Sequence, residues 1–174
     1  MAKQKLNLQS YQQDILARIK AVSNSSDIAV VSRLGVSIAG RSYLISLADI
    51  SEVVPVPEVT QIPLTQPWFL GVANVRGNLS AITDLAAFLG HVPTQISSES
   101  RILLAHTRFD INAGLLVDRL IGLRNVNDMQ VKRTVLEKGK PWQINGYQDG
   151  NGQEWQEIDI GTLMNQKEFM LVAI

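Results

Sequence analysis

The sequence predicts a mainly β protein made of two small five-stranded barrels packed together, with an amphipathic helix before them and a short helix at the end. Three observations carry that prediction. From about residue 29 the apolar residues recur with a period of two, the mark of half-buried strands. Short strand-like runs are separated by turn residues at intervals of roughly 8–12 residues, the spacing of barrels and sandwiches. A polar stretch over residues 91–100, with Pro93, Ser97, Ser98 and Ser100, divides two such series. The expected organisation is an N-terminal helical extension and linker over 1–27, then one domain over 28–174. Within it a first barrel covers about 28–93 and a second about 100–174, with strand exchange between them left open.

Residues 6–22 place Leu8, Tyr11, Ile15, Ile19 and Val22 at spacings of 3, 4, 4 and 3, one apolar stripe of a helix. A Ser-Asn-Ser-Ser-Asp run over 23–27 ends it. The stripe is expected to pack on the chain's own domain, with partner docking as the alternative. Segments 30–39 and 42–47 read as a hairpin around Gly40-Arg41. Segment 50–57 is a third strand, which Pro55 and Pro57 place at a sheet edge or a strand ending. Segment 59–67 is a proline-bounded loop.

Segment 69–85 follows, two short strands joined across Arg76-Gly77. Gly71 and Gly77 stand where a side chain would obstruct a tight backbone path. Asn74 and Arg76 are polar within an apolar hairpin, so something must receive them. Asp84 can cap a helical turn through Ala86, Ala87, Phe88 and Leu89 that Gly90 ends. In the second series, 101–107 and 111–117 flank Phe109-Asp110, and 120–126 is a strand with Gly122 as a bulge or close approach. Turns are expected over 137–141 and 147–153, and a last strand over 155–160. A terminal helix capped by Asp159 or Thr162 carries Leu163, Met164, Phe169 and Leu171.

Composition narrows the function classes. The 174 residues are 45% hydrophobic and 18% charged, ordinary for a folded chain. Sixteen basic and sixteen acidic residues cancel, so no net field favours nucleic acid or anionic lipid. Cysteine is absent, which removes disulfides, thiolate catalysis and cysteine metal sites. No signal peptide and no membrane-length apolar run are visible, so a cytoplasmic protein without direct membrane insertion is expected. The two histidines, His91 and His106, have no metal-spaced companions. Neither a phosphate loop nor a nucleophile elbow occurs. No enzyme and no cofactor are expected.

The hairpin Gly71-Val72-Ala73-Asn74-Val75-Arg76-Gly77, with Asp84-Leu85 closing it, resembles the signature of the CheW family of chemotaxis coupling proteins. Ile50-Ser51-Glu52-Val53 with Val59-Thr60-Gln61-Ile62-Pro63 is similar to the family's third strand and loop. Leu116-Val117-Asp118-Arg119-Leu120-Ile121-Gly122-Leu123 resembles its second-half motif, and Ile144-Asn145-Gly146 and the closing helix come in the same order. The resemblance covers about 28–174, and Asn74, Gly77 and Asp84 are its structural signature. Two features depart from it. Ala86 stands where the family often has arginine, and the last strand is more polar than usual, which leaves its burial open.

The resemblance implies two SH3-like barrels and a non-catalytic adaptor. Its partners would be the cytoplasmic tip of a methyl-accepting chemoreceptor and the regulatory domain of a CheA-like histidine kinase, with recruitment to the inner face of the membrane through receptor arrays. The hairpin wording and the N-terminal extension look most like the Pil-Chp branch, which governs twitching motility by type IV pili. A general flagellar chemotaxis CheW role and an SH3-like peptide-binding module of an unrelated pathway are the alternatives; the module requires exposed Trp68 and Tyr11.

By the same resemblance Glu52 and Arg76 belong to a receptor groove, with Leu47, Ile50 and Val53 (and Val54 beside them) offering apolar lining. Plain barrel core is the structural reading of those four, and a surface ion pair that of Glu52 and Arg76. Val59, Ile62, Gly71 and Ile102 are the candidates for a kinase surface. Trp68, Trp142 and Trp155 read as core or interface plugs.

Overall fold

A computed structural model of the chain describes residues 13–17, 32–133 and 138–174. Among them eleven strands form two sheets, and helix is confined to short pieces. The strands are β1 (Ser32–Ile38), β2 (Arg41–Ser46), β3 (Ile50–Pro55), β4 (Phe69–Val75), β5 (Asn78–Asp84), β6 (Arg101–Ala105), β7 (Ala113–Val117), β8 (Arg119–Asn125), β9 (Gln130–Lys132), β10 (Gln143–Gln148) and β11 (Glu154–Ile158). Helices α1 (Leu85–Phe88), α2 (Ile160–Met164) and α3 (Lys167–Met170) accompany them, with a helical segment at 13–17 and single 3-10 turns at Leu47–Asp49, Thr107–Phe109 and Val126–Asp128.

The first hairpin turns at Ala39-Gly40 and not at Gly40-Arg41. Both residues have positive φ, 49° and 72°, as a two-residue hairpin loop requires. Arg41 already pairs with Ile38 as the first residue of β2. Arg76-Gly77 repeats the geometry with φ of 51° and 86°, and Val75 pairs with Asn78 across it.

The six-stranded sheet has the order β8-β1-β2-β11-β10-β9, and the five-stranded sheet β3-β6-β7-β5-β4. Each takes strands from both sides of the 91–100 stretch. Parallel pairings of β2 with β11 and of β5 with β7 join the early and late chain. Neither ladder closes, so the expected barrels exist as two curled, open sheets. Side chains bridge the open ends: Ile121, Val126 and Met129 pack on Leu44, Tyr147 and Trp155 in the six-stranded sheet.

One face of the five-stranded sheet encloses Val54, Ala73, Val75, Ile82, Ile102 and Leu116, which come from all five strands. The larger core lies between the sheets, where Leu34, Val36 and Ile45 meet Leu103, Leu115 and Val117. Helix residues Leu85, Ile160 and Leu163 and the aromatic group of Phe88, Trp142 and Phe169 add to it. Trp68 stacks on Phe169 at 6.0 Å and meets Phe88 edge-on at 5.2 Å. Ile15 is buried in this core with Leu16 beside it, whereas Tyr11 and Ile19 of the same stripe lie outside the described residues.

Several expectations need adjustment. The last strand is polar yet buried, because Glu157 pairs with Arg33 and accepts bonds from Tyr147 Oη and Asn145 Nδ2, each at 3.2 Å. A buried carboxylate so partnered escapes most of its desolvation cost. Burial and the Glu157 charge together push the Tyr147 hydroxyl above its ordinary pKa. Tyr147 and Gln148 belong to β10, so the turn expected over 147–153 shrinks to the residues between β10 and β11. The single terminal helix is two short ones: Asp159 caps α2 through Thr162 N at 2.9 Å, and α3 begins only after Gln166. At β8 the expected bulge is present, with Gly35 opposite Gly122 and Val36 opposite Leu120, which leaves Ile121 as the extra residue.

Candidate functional site

The β4–β5 hairpin is held from inside its own turn. Asn74 Oδ1 accepts the Gly77 N–H at 2.8 Å, which fixes the Arg76-Gly77 corner and answers one of the two polar residues in the hairpin. Arg76 answers the other, since its guanidinium lies 2.5 Å from Glu52 Oε1. The Arg76 side chain is 67% exposed and that of Glu52 24%, so the pair sits at a rim and keeps a face toward solvent.

Behind this rim is a shallow groove of about 170 Å³. Ser51 and Glu52 of β3, Asn78 and Ser80 of β5, Leu104 of β6 and Asn112 before β7 contribute to its wall. Sequence reading did not find Ser51, Leu104 or Asn112, because nothing local marks residues that meet only through sheet order.

Leu47, Ile50 and Val53 do not line this groove. They are 2, 4 and 8% exposed and belong to the core between the sheets. The cause is a bulge in β3: Ile50 pairs with Ala105 and Glu52 with Leu104, so Ser51 is an extra residue. That insertion brings Ile50 into phase with Val53 on the core side, leaving Glu52 on the groove side and Val54 in the smaller cluster. Ser51 Oγ donates toward the carbonyls of Leu104 and Ala105, each at 3.2 Å, and so supports the bulge. The apolar part of the original expectation is therefore core, and the polar pair is surface.

The second candidate group divides as well. Gly71 is buried with φ of 131°, and a Cβ built there would stand 2.0 Å from Thr60 O. This lets the 59–62 loop lie against β4, where Thr60 and Val72 exchange backbone hydrogen bonds of 2.8 and 2.9 Å. Ile102 is fully buried and Val59 half-buried against the same cluster. Ile62 alone of the four is exposed, at 41%. Two residues further on, Leu64 accepts Ile174 N through its carbonyl at 3.1 Å; no sequence signal marked either, and Leu64, Ile174 and Leu171, which was expected in the terminal helix, are all exposed.

Asp84 is a clamp beneath the hairpin. Its carboxylate accepts Ala86 N at 3.0 Å and Ala87 N at 3.3 Å, capping α1, and Thr94 N and Oγ1 at 2.8 and 2.9 Å. It ties the signature to the stretch that separates the two strand series. The histidines have structural partners: His91 Nε2 lies 3.0 Å from Tyr43 Oη, and His106 Nδ1 accepts Arg108 N at 3.1 Å. Arg108 also pairs with Asp49, whose carboxyl is raised above the ordinary range by burial, against the pull of the Arg108 charge. Among the described residues no group of acidic, histidine or cysteine side chains could hold a metal, and no helix is long and apolar enough to cross a membrane.

A family model of the CheW-like domain matches residues 33–168. The chain belongs to the CheW-like domain family. This CheW-like chain is 36% identical to Protein PilI of Pseudomonas aeruginosa over 94 residues, 54% of the chain and 52% of PilI. It is 28% identical to Chemotaxis protein CheW of Bacillus subtilis over 93 residues, 53% of the chain and 59% of that protein. The matches thus span just over half the length of these two relatives. The fold is that of scaffolding protein TtCheW from Thermoanaerobacter tengcongensis, with a TM-score of 0.64 at 22% identity over 78% of this chain and 93% of that one.

Proposed function

We propose that the chain is a non-catalytic adaptor that couples the cytoplasmic tip of a methyl-accepting chemoreceptor to the regulatory domain of a CheA-like histidine kinase. The observation that carries this reading is the half-exposed Glu52–Arg76 pair at the rim of a groove, in a chain of the CheW-like family. A groove of this kind suits docking, and nothing in it pairs a nucleophile with a base. The receptor's helical hairpin lies along the groove beside Arg76. The kinase domain meets the apolar surface centred on Ile62, with Leu64, Leu171 and Ile174 enlarging it. Gly71 and Ile102 serve that surface from below, one by admitting the loop and the other by filling the core. Arg76 and Gly71 are five residues apart, about 17 Å along an extended strand, so one hairpin serves both partners.

The pathway we assign is control of type IV pilus twitching motility, supported by the 36% identity to PilI and by the hairpin wording. In an array at the inner face of the membrane, many modest contacts gain strength through linkage. Trp68, half-buried in its aromatic group, does not suit the peptide-module alternative, which needs that ring at the surface.

The test is a calorimetric titration against the regulatory domain of the cognate CheA-type kinase, and separately against a receptor cytoplasmic fragment. Arg76→Glu should weaken the receptor arm and spare the kinase arm, and Ile62→Glu the reverse. Folded wild-type protein that binds neither partner would overturn the assignment.

A further inference from the structure

The six-stranded sheet carries a second concave surface, apart from the groove and from the Ile62 surface. It is a trough of about 730 Å³, within the roughly 300–1,000 Å³ range of ligand clefts. A row of directly paired residues, Tyr43, Gln156, Gly146 and Lys132, crosses β2, β11, β10 and β9 along it. Arg41 at the start of β2, Arg119 at the start of β8 and Arg133 just after β9 also line it.

Among the described residues the trough therefore gathers four cations, and Glu154 is the one carboxylate in its lining. All four cationic residues are exposed, and among the described residues none of them makes an ion pair. The chain as a whole has sixteen basic and sixteen acidic residues, so this is local segregation of charge and not a by-product of a basic protein. Like charges held around one concavity repel each other, and an anionic occupant relieves that repulsion.

We propose that this trough binds an acidic peptide segment of a partner protein, with Arg41, Arg119, Lys132 and Arg133 meeting its carboxylates. The shape and charge together select that occupant. A bilayer is flat and cannot enter a concave trough. Duplex nucleic acid is held by cations spread along an extended face, with overall positive charge to draw it in, and this chain has neither. A peptide strand fits the width of a sheet face, and arginine forks suit carboxylates in pairs.

The experiment is fluorescence anisotropy of a labelled octaglutamate peptide titrated with the full chain at low and at physiological salt, beside an octaglutamine peptide, a short DNA duplex and phosphatidylserine vesicles. Octaglutamate should bind, octaglutamine should not, and added salt should weaken the complex. Arg41→Glu with Arg119→Glu should weaken it about tenfold or more, and so should Lys132→Glu with Arg133→Glu. Glu154→Gln should tighten it. Lys167→Glu on α3 and Arg76→Glu in the groove should leave it unchanged, which separates this site from the coupling role. Circular dichroism checks that each variant is folded. Absence of octaglutamate binding, equal loss in the Lys167 variant, or preference for DNA or vesicles over the peptide would each overturn the proposal.

Discussion

Glu52 and Arg76 join the two ends of a single sheet. Glu52 is in β3 and Arg76 directly follows β4, and these are the terminal strands in the order β3-β6-β7-β5-β4. The sheet curls until its edges face one another, and an ion pair spans the gap where no ladder of backbone bonds does. Because Arg76 is mostly in solvent, the pair contributes about 0–1 kcal/mol. Arg76→Ala should therefore leave urea unfolding within about 1 kcal/mol of wild type, while receptor binding falls. A large loss of stability would recast the pair as structural.

Gly71 and Gly77 separate two costs that positive φ usually mixes. At Gly77 an added Cβ meets nothing within 4 Å, so Gly77→Ala reports backbone strain alone, about 1–3 kcal/mol. At Gly71 the same methyl collides with the Thr60 carbonyl. Gly71→Ala should cost clearly more than Gly77→Ala in denaturant unfolding and should expose the 59–62 loop to proteolysis. Equal costs would show that the loop moves aside freely.

Asp84 combines a helix cap with the attachment of Thr94. Removing a cap costs about 0.5–2 kcal/mol, and each lost hydrogen bond about 0.5–1.5. Asp84→Ala should accordingly be among the most destabilising polar substitutions in the chain, read by thermal unfolding, and Thr94→Val should reproduce only part of the loss.

Asp49 gives stability a pH dependence of unusual sign. Burial is the main cause of its raised pKa, with the Asp159 charge adding to it and Arg108 opposing. The native state then holds this proton more tightly than the unfolded chain. Its contribution favours folding at low pH and is lost as pH rises from the unfolded value of 3.8 through the raised folded one. Asp49→Asn is neutral throughout, so its stability relative to wild type should improve as pH rises from 3.8 through the raised folded value. The opposite trend in urea unfolding would mean that the Arg108 pair outweighs burial.

Local signals were legible and relational ones were not. The Arg76-Gly77 hairpin, the first hairpin to within one residue, the Asp84 cap and the Gly122 irregularity follow from residues adjacent in sequence, and the pairing of Arg76 with Glu52 followed from family resemblance. The Ser51 bulge left no mark in the alternation of β3, so Ile50 and Val53 read as equally suited to either face. β9 is exposed at all three residues and carries no period to detect. The burial of the polar last strand stayed open because the partner that admits Glu157, Arg33, is 124 positions away. Among the kinase candidates, Ile102 came from the resemblance alone, and its position in the sheet buried it.

The parallel pairing of β2 with β11 has a consequence for how the chain is made. Tyr43 lies beside Gln156, so the first hairpin waits for more than a hundred later residues before its neighbour exists. Contacts of such long sequence separation slow folding. On the ribosome, β1 and β2 emerge as an open edge, and the six-stranded sheet is sealed only when the last strand leaves the exit tunnel. A nascent chain stalled before residue 154 should remain protease-sensitive along β2, although every strand of the five-stranded sheet has by then been made.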